Sequence, residues 1–454
     1  MESKNTFASK IGIILATAGS AVGLGNIWRF PTTTGENGGA AFILVYILFT
    51  LLLGIPGMLS EFIVGRNGAA NPVSAYGKAG NHKAWKGVGI MGVICSSIIL
   101  GFYSVVAGWC IYYLYKSLID GVLGSKAFIE SGFASLQQSL WIPLSMSVLF
   151  IIMTHLVVVK GVQGGIEKAS KLMMPVLFLL LILLVMASCS LPDAWVGIEF
   201  LFKPDFSKIT GKVIFEALGQ AFFSISLGTA CLCTYAAYFQ KSTNLLKSSM
   251  QIISIDCGVA ILAGLMIFPA AFSVGVNPDA GPSLIFLTLP NVFAAAFPHS
   301  VAYIISITFY ALLTLAALTS TISMHEIGTA VMTEEFHLGR RWGATLITLL
   351  CCTIGILCAV SLTYSNEQTA WGFFGESLFS NFYNLTSNIL LPLGAFLTTI
   401  IVGWIMPRET VLRQLTSEGM YQWRGWMIQI FYILVRYICP IAIALIFLKQ
   451  TGLI

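Results

Sequence analysis

Residues 19–31 read Gly19-Ser20-Ala21-Val22-Gly23-Leu24-Gly25-Asn26-Ile27-Trp28-Arg29-Phe30-Pro31, inside an apolar stretch that begins near Ile11. Glycine in a helix interior costs about 1 kcal/mol relative to alanine, and here three fall within seven positions, with Ser20 among them and Asn26 just after. Small polar side chains can rebond the backbone that a broken helix frees, and a bilayer tolerates such a break only where it is buried in protein or lines a cavity. The string therefore predicts a helix unwound in mid-membrane. A second apolar stretch, 214–239, carries Ser224, Ser226, Gly228 and Thr229 at its middle. Either segment alone could use its small residues for close helix packing. Found five segments apart, they fit inverted repeats of segments 1–5 and 6–10 with a site between them.

The rest of the chain agrees with a membrane setting. Of 454 residues, 57% are hydrophobic and 9% charged, against roughly 25% charged in soluble domains. Eleven stretches are long enough to span a bilayer as helices: 11–30, 41–65, 87–117, 140–159, 172–190, 214–239, 250–274, 301–331, 342–362, 383–405 and 427–448. The expected class is an all-α polytopic membrane protein. Its parts are an amino-terminal segment 1–10, a first repeat 11–190, an outer loop 191–213, a second repeat 214–405, and a loop with helix 11 over 406–454. The polar start Met1 to Lys10 runs into segment 1 without a small-residue cleavage site, so that segment is expected to stay in the protein.

With a cytoplasmic amino terminus, roughly sixteen basic residues fall in inner loops and about six in outer ones, which sets the orientation. This asymmetry accounts for the net charge of +5 without nucleic acid. The expected location is the cell inner (plasma) membrane, in contact with lipid, as a monomer or weak oligomer. The ten cysteines lie in or beside apolar stretches without zinc or disulfide spacing, and read as small buried hydrophobes. Two outer connections, Leu191 to Gly211 and Asn277 to Ser300, are long enough to suggest covers over something.

The glycine string, followed by Glu36-Asn37-Gly38-Gly39, resembles the neurotransmitter:sodium symporter family, the bacterial amino acid transporters of the leucine-transporter fold included. Further matches are Gly54-Ile55-Pro56 to Glu61, Lys203-Pro204-Asp205-Phe206-Ser207-Lys208, Gly219-Gln220-Ala221-Phe222-Phe223-Ser224 and Leu318-Thr319-Ser320, in the family's order over nearly the whole chain. The resemblance implies two sodium ions. One would take the carbonyls of Gly19, Val22 and Ala316 and the hydroxyls of Thr319 and Ser320. The other would take the Ala21 carbonyl, Asn26, Ser224, Asp256 and the carboxylate of the substrate. A carboxylate such as Asp256 in mid-membrane must be paired, ion-bound or protonated. It is expected to replace chloride, with Tyr46, Gln220 and Ser224 lining what would be the anion's pocket.

The resemblance also places the substrate carboxylate on the Gly25 amide and the Tyr103 hydroxyl, and its ammonium on carbonyls near Ala21 and Phe223. Amine-carrying relatives have an aspartate where this chain has Gly23, so the expected substrate is a neutral amino acid. Its side chain would meet Ile99, Tyr103, Phe223, Ser226, Thr229, Ser320 and Met324. Thr229-Ala230 replaces the aromatic or methionine, then glycine, of many relatives. Implied gates are Arg29 on one side, with Tyr383 where relatives carry an acid, and Lys4, Glu334 and the plug Phe7 on the other. Glu61 would satisfy the freed backbone of segment 6.

No catalytic residues are expected, because the five histidines do not converge with carboxylates or cysteines at ligand spacing, apart from the adjacent His325 and Glu326. A sensor with the same site and no net transport is the alternative, and a channel is a third reading.

Overall fold

The computed structural model describes residues 6–275, 284–364, 371–373 and 375–450. Among these, helices are the only regular elements. Nine are long and apolar enough to cross a membrane uninterrupted: Ala40–Gly68, Lys83–Leu118, Trp141–Val158, Val162–Cys189, Leu245–Ser273, His299–Glu334, Arg340–Tyr364, Leu378–Ile405 and Gly425–Gln450. They are segments 2–5 and 7–11. Segment 1 is a bent pair, Lys10–Ala21 and Gly25–Glu36, with 53° between its halves. Segment 6 is Gly211–Ser224 followed, after a non-helical turn, by Cys231–Ala236.

The segments outrun their apolar windows. Segment 5 starts at Val162, about ten residues before the apolar stretch, because Lys168 and Lys171 can run their aliphatic stems along apolar surroundings and keep their charges at the edge. Segments 3 and 8, at 36 residues each, are about 54 Å long at 1.5 Å per residue. They outreach a hydrocarbon core of about 30 Å. Segments 3, 4, 8 and 9 pack on one another, the first half of segment 1 lies against 5, 7 and 8, and the second half of segment 6 lies on segment 2. Leu44, Leu48, Leu51 and Leu52 are exposed along one face of segment 2, the stripe a lipid-facing helix presents.

The two long connections are not plain loops. The first contains helix Ala194–Phe202, packed on segment 7. The second contains Leu284–Ala296, with Leu284, Ile285, Phe286 and Phe293 buried. A further helix, Lys126–Gln138, joins segments 3 and 4. Each is too short to span, so a search for membrane-length runs passes over them.

Both breaks have local causes. Segment 1 stops at Ala21, where Val22 turns extended at ψ 110°. Segment 6 turns through Ile225 to Ala230, with left-handed φ at Ser226 (+54°), Gly228 (+89°) and Ala230 (+62°). Gly228 donates its N–H to Glu61 Oε1 at 2.7 Å, and Cys233 donates to Oε2 at 3.2 Å. A Cβ at Gly228 would collide with the Leu391 carbonyl of segment 10 and come within 2.9 Å of Ala395 N. Gly228→Ala is expected to cost about 1–3 kcal/mol in backbone strain alone. A fall in the thermal unfolding midpoint of the detergent-solubilised protein checks it, and an unchanged midpoint would contradict this account of the turn.

Candidate functional site

The two breaks face each other and bring oxygen atoms together. On one side, Asn26 Nδ2 donates to Asp256 Oδ1 at 2.7 Å and lies 3.2 Å from the Asp256 carbonyl and 3.3 Å from Ser224 Oγ. Asn26 Oδ1 accepts the Gly23 N–H at 3.1 Å. Ser224 Oγ donates to Asp256 Oδ2 at 2.6 Å, and Tyr46 OH lies 3.4 Å from the same oxygen. Asn26 and Asp256 are fully buried, and Ala21 is buried as well. Gln220, one turn before Ser224, is buried with neither amide atom hydrogen-bonded.

On the other side, Thr319 Oγ1 sits 2.9 Å from the Ala316 carbonyl and 3.3 Å from that of Val22. Ser320 Oγ is 3.2 Å from Val22 O and 3.4 Å from Ala316 O. Gly19 faces Thr319, whose Cβ would stand 3.4 Å from a Cβ built on the glycine. Among the described residues no group of three or more His, Cys, Asp or Glu could hold a metal. Carbonyls and hydroxyls with a single carboxylate suit a hard monovalent cation, whose hydration shell such oxygens can replace.

Between the breaks lies a cavity of about 380 Å³. Ala21, Gly23, Gly25, Ile99, Tyr103, Phe223, Ser226, Thr229, Ser320 and Met324 all line it, as does Ser224. Among the described residues, no acidic side chain lines it. Tyr103 OH accepts the Leu24 N–H at 3.1 Å, so the phenol is anchored at the broken backbone. A Cβ at Gly23 would stand 2.5 Å from Ser320 Oγ and 3.2 Å from Tyr103 OH, and one at Gly25 would stand 3.1 Å from the Phe223 ring. Both glycines leave their backbone bare to the cavity for lack of room. The cavity also takes in Phe102, Val106, Thr32, Thr33, Phe379 and Ser387, absent from the sequence reading. Phe102 and Val106 share one face of segment 3 with Ile99 and Tyr103 at spacings of three and four, a signal that was available.

The model of the sodium:neurotransmitter symporter family matches residues 4–123 and 122–452. The chain belongs to that family. It is similar to the uncharacterized sodium-dependent transporter YhdH of Bacillus subtilis, with 39% identity over 99% of this chain and 98% of YhdH. It is also similar to the sodium- and chloride-dependent taurine transporter of Canis lupus familiaris, with 23% identity over 93% of this chain and 75% of the relative. Among solved structures, MhsT in complex with L-phenylalanine superposes with a TM-score of 0.88 and 37% identity, over 99% of this chain and 100% of that one. The chain is thus a sodium-coupled transporter, not an enzyme, with a leucine-transporter fold.

At the cavity end reached by the second half of segment 1, this symporter stacks the Arg29 guanidinium on Phe223, 4.1 Å from the ring centroid. Among the described residues no carboxylate is within ion-pair distance of Arg29. Tyr383 lines the cavity and packs edge-on to Phe102 at 6.0 Å.

The face carrying the amino terminus is closed. Phe7 is fully buried against Tyr235 and Tyr238, with ring centroids 5.8 and 6.3 Å away. Glu167 accepts the Ala8 N–H at 2.7 Å and the Ser9 hydroxyl at 2.8 Å. Glu326 pairs with Arg340 at 2.5 Å and accepts Tyr238 OH at 2.9 Å, while His325 bonds Thr329 and Thr348. Glu334 accepts the Asn71 N–H at 2.6 Å, and Lys4 lies outside the described residues. Beside it a hydrogen bond from Ser74 holds the Glu335 carboxyl below its usual range.

Gly23→Ala is expected to abolish sodium-driven uptake while leaving the protein folded, because the new methyl must displace Ser320 and Tyr103. Proteoliposome uptake beside an unchanged gel-filtration profile tests it. Uptake at the wild-type rate would refute the packing account.

Proposed function

We propose that this symporter carries a neutral amino acid with an apolar side chain into the cell, together with two sodium ions. One observation carries the reading: the cavity between the breaks is lined by bare backbone, a phenol and many apolar side chains, with no acid among its described lining residues. A substrate amine would find no counter-charge there unless the substrate brought its own carboxylate. The carboxylate fits the Gly25 amide and Tyr103 hydroxyl at the positive start of a half-helix, and the ammonium fits carbonyls near Ala21 and Phe223. The hydroxyls of Thr229 and Ser320 are engaged with the protein: Thr229 Oγ1 donates to the Ser226 carbonyl at 2.8 Å, and Ser320 turns to Val22 and Ala316. L-phenylalanine, with which MhsT is in complex, is an amino acid of this kind.

In this reading one sodium takes Ala21, Asn26, Ser224, Asp256 and the substrate carboxylate. The other takes Gly19, Val22, Ala316, Thr319 and Ser320. A shared ligand makes the affinities of sodium and substrate reciprocal. Sodium from outside favours the state open toward Arg29. Substrate completes the first ion site, the Arg29–Phe223 stack and Tyr103 close over it, and departure of the second ion frees the path past Phe7. The excess of basic residues in alternate loops supports an amino terminus on the cytoplasmic side of a plasma membrane.

The taurine transporter is chloride-dependent, but here Asp256 supplies a negative charge among Tyr46, Gln220 and Ser224. Transport is therefore expected to be independent of chloride. Uptake of labelled amino acids into proteoliposomes is measured under a sodium gradient, with potassium in its place, and with gluconate for chloride. The expected result is sodium-dependent, gluconate-tolerant uptake of apolar amino acids. It should fall by about tenfold or more in Asp256→Ala, since one ion site loses the only formal charge the protein gives it. Loss of uptake in gluconate would sink chloride independence. Sodium-dependent binding without uptake would turn the reading to a sensor.

A further inference from the structure

The wall of the substrate cavity at Thr229 is held from behind. Two of the three left-handed residues in the segment 6 turn are not glycine, a conformation that persists only where the surroundings impose it. Thr229 Oγ1 spans the turn, donating to the Ser226 carbonyl and accepting the Cys231 N–H at 3.1 Å. Its hydroxyl is occupied, which leaves the rest of the side chain for the cavity. From segment 3, Ser96 Oγ shares its one proton between the Gly92 carbonyl of its own helix at 2.6 Å and the Thr229 carbonyl at 2.9 Å. Ala230, at φ +62° and 2% exposed, fills the space beside Gly92, where a Cβ would stand 2.6 Å from the Ala230 methyl. Ala230 and Gly92 therefore share room for one methyl group between them.

We propose that Ala230, wedged against Gly92 and tied through Ser96 to the Thr229 carbonyl, fixes the wall of the side-chain pocket and sets an upper limit on substrate size. The inference rests on the amino acid reading above and deepens it. A turn with glycine at 230 could swing toward segment 3 when a large side chain presses on Thr229. With the methyl in place, Gly92 blocks that movement. Gly92, Ser96 and Ala230 are positioning residues, because Thr229 is the one that lines the cavity.

The test is the ratio of sodium-driven kcat/KM for tryptophan to that for leucine in proteoliposomes. A pocket wall discriminates by about tenfold or more per extra group it rejects, so Ala230→Gly is expected to raise the ratio about tenfold, mainly through a lower KM for tryptophan. Ser96→Ala loosens the same tie and should move the ratio in the same direction, which keeps the proposal testable if Ala230→Gly folds poorly. Gly92→Ala adds a second methyl to a space that holds one and should depress uptake of both substrates. The exchange Gly92→Ala with Ala230→Gly moves the methyl to the other side and should restore both uptake and the wild-type ratio. Sodium-driven leucine uptake by a variant with an unchanged ratio overturns the wedge. Absence of amino acid uptake in the wild type would instead overturn the reading on which it rests.

Discussion

A backbone N–H or C=O left bare in hydrocarbon costs several kcal/mol, and this chain frees such groups twice at mid-membrane. The contact that makes the second break tenable is the carboxylate of Glu61, fully buried on segment 2, which takes the N–H groups of Gly228 and Cys233. Gly228 lies within the turn and Cys233 in the half-helix that follows it, so one side chain ties the gap and the start of the second half to an unbroken neighbouring helix. Without it the residues from Ile225 to Ala230 would have to wind back into helix, and the carbonyls and apolar wall they present to the cavity would be lost. The first break is held differently, by Asn26 reaching back to the Gly23 N–H and by Tyr103 taking that of Leu24. Tyr103 lines the cavity and Asn26 is bonded to Asp256 in the proposed ion site, so the halves of segment 1 are tied to the residues of the site.

That asymmetry bears on how the transporter works. Segment 6 is clamped by a residue remote from the proposed ligands, whereas segment 1 is clamped by residues that substrate and sodium would themselves engage. The Asn26–Asp256 and Ser224–Asp256 hydrogen bonds join segments 1, 6 and 7. An ion held by Asn26, Ser224 and Asp256 would bridge the same three segments. Binding and the relative placement of three segments are thereby one equilibrium, which is the physical content of coupling.

Much of this could be read from residue order. The apolar runs located every spanning segment, and the clustered glycines of segment 1 marked its break, since few other features put three helix-weakening residues within seven positions. The residues grouped around the breaks were legible through resemblance more than through spacing, because carbonyl ligands leave no side-chain signature. What stayed hidden was short or indirect. The helices at 126–138, 194–202 and 284–296 have no membrane-length run. The pairing of Gly92 with Ala230 needs two segments to be seen touching. Glu167 sits in no sequence motif, and its hold on Ala8 and Ser9 is visible only in the fold.

Tyr383 is the clearest departure from the family pattern, and it would change the character of a gate built on Arg29. A guanidinium paired with a carboxylate across a vestibule draws two segments together by charge, with a strength that salt screens when the pair is wet. Arg29 stacked on Phe223 is a cation–π contact within reach of the substrate, worth about 0.5–2 kcal/mol and more as water leaves. Its partner ring lines the same cavity. In the proposed cycle, whatever fills the cavity beneath Phe223 would press on this stack directly, and desolvation by the substrate would strengthen it. Closure would then be tied to occupancy through one aromatic ring, where an ion pair would tie it to the charge balance of the vestibule.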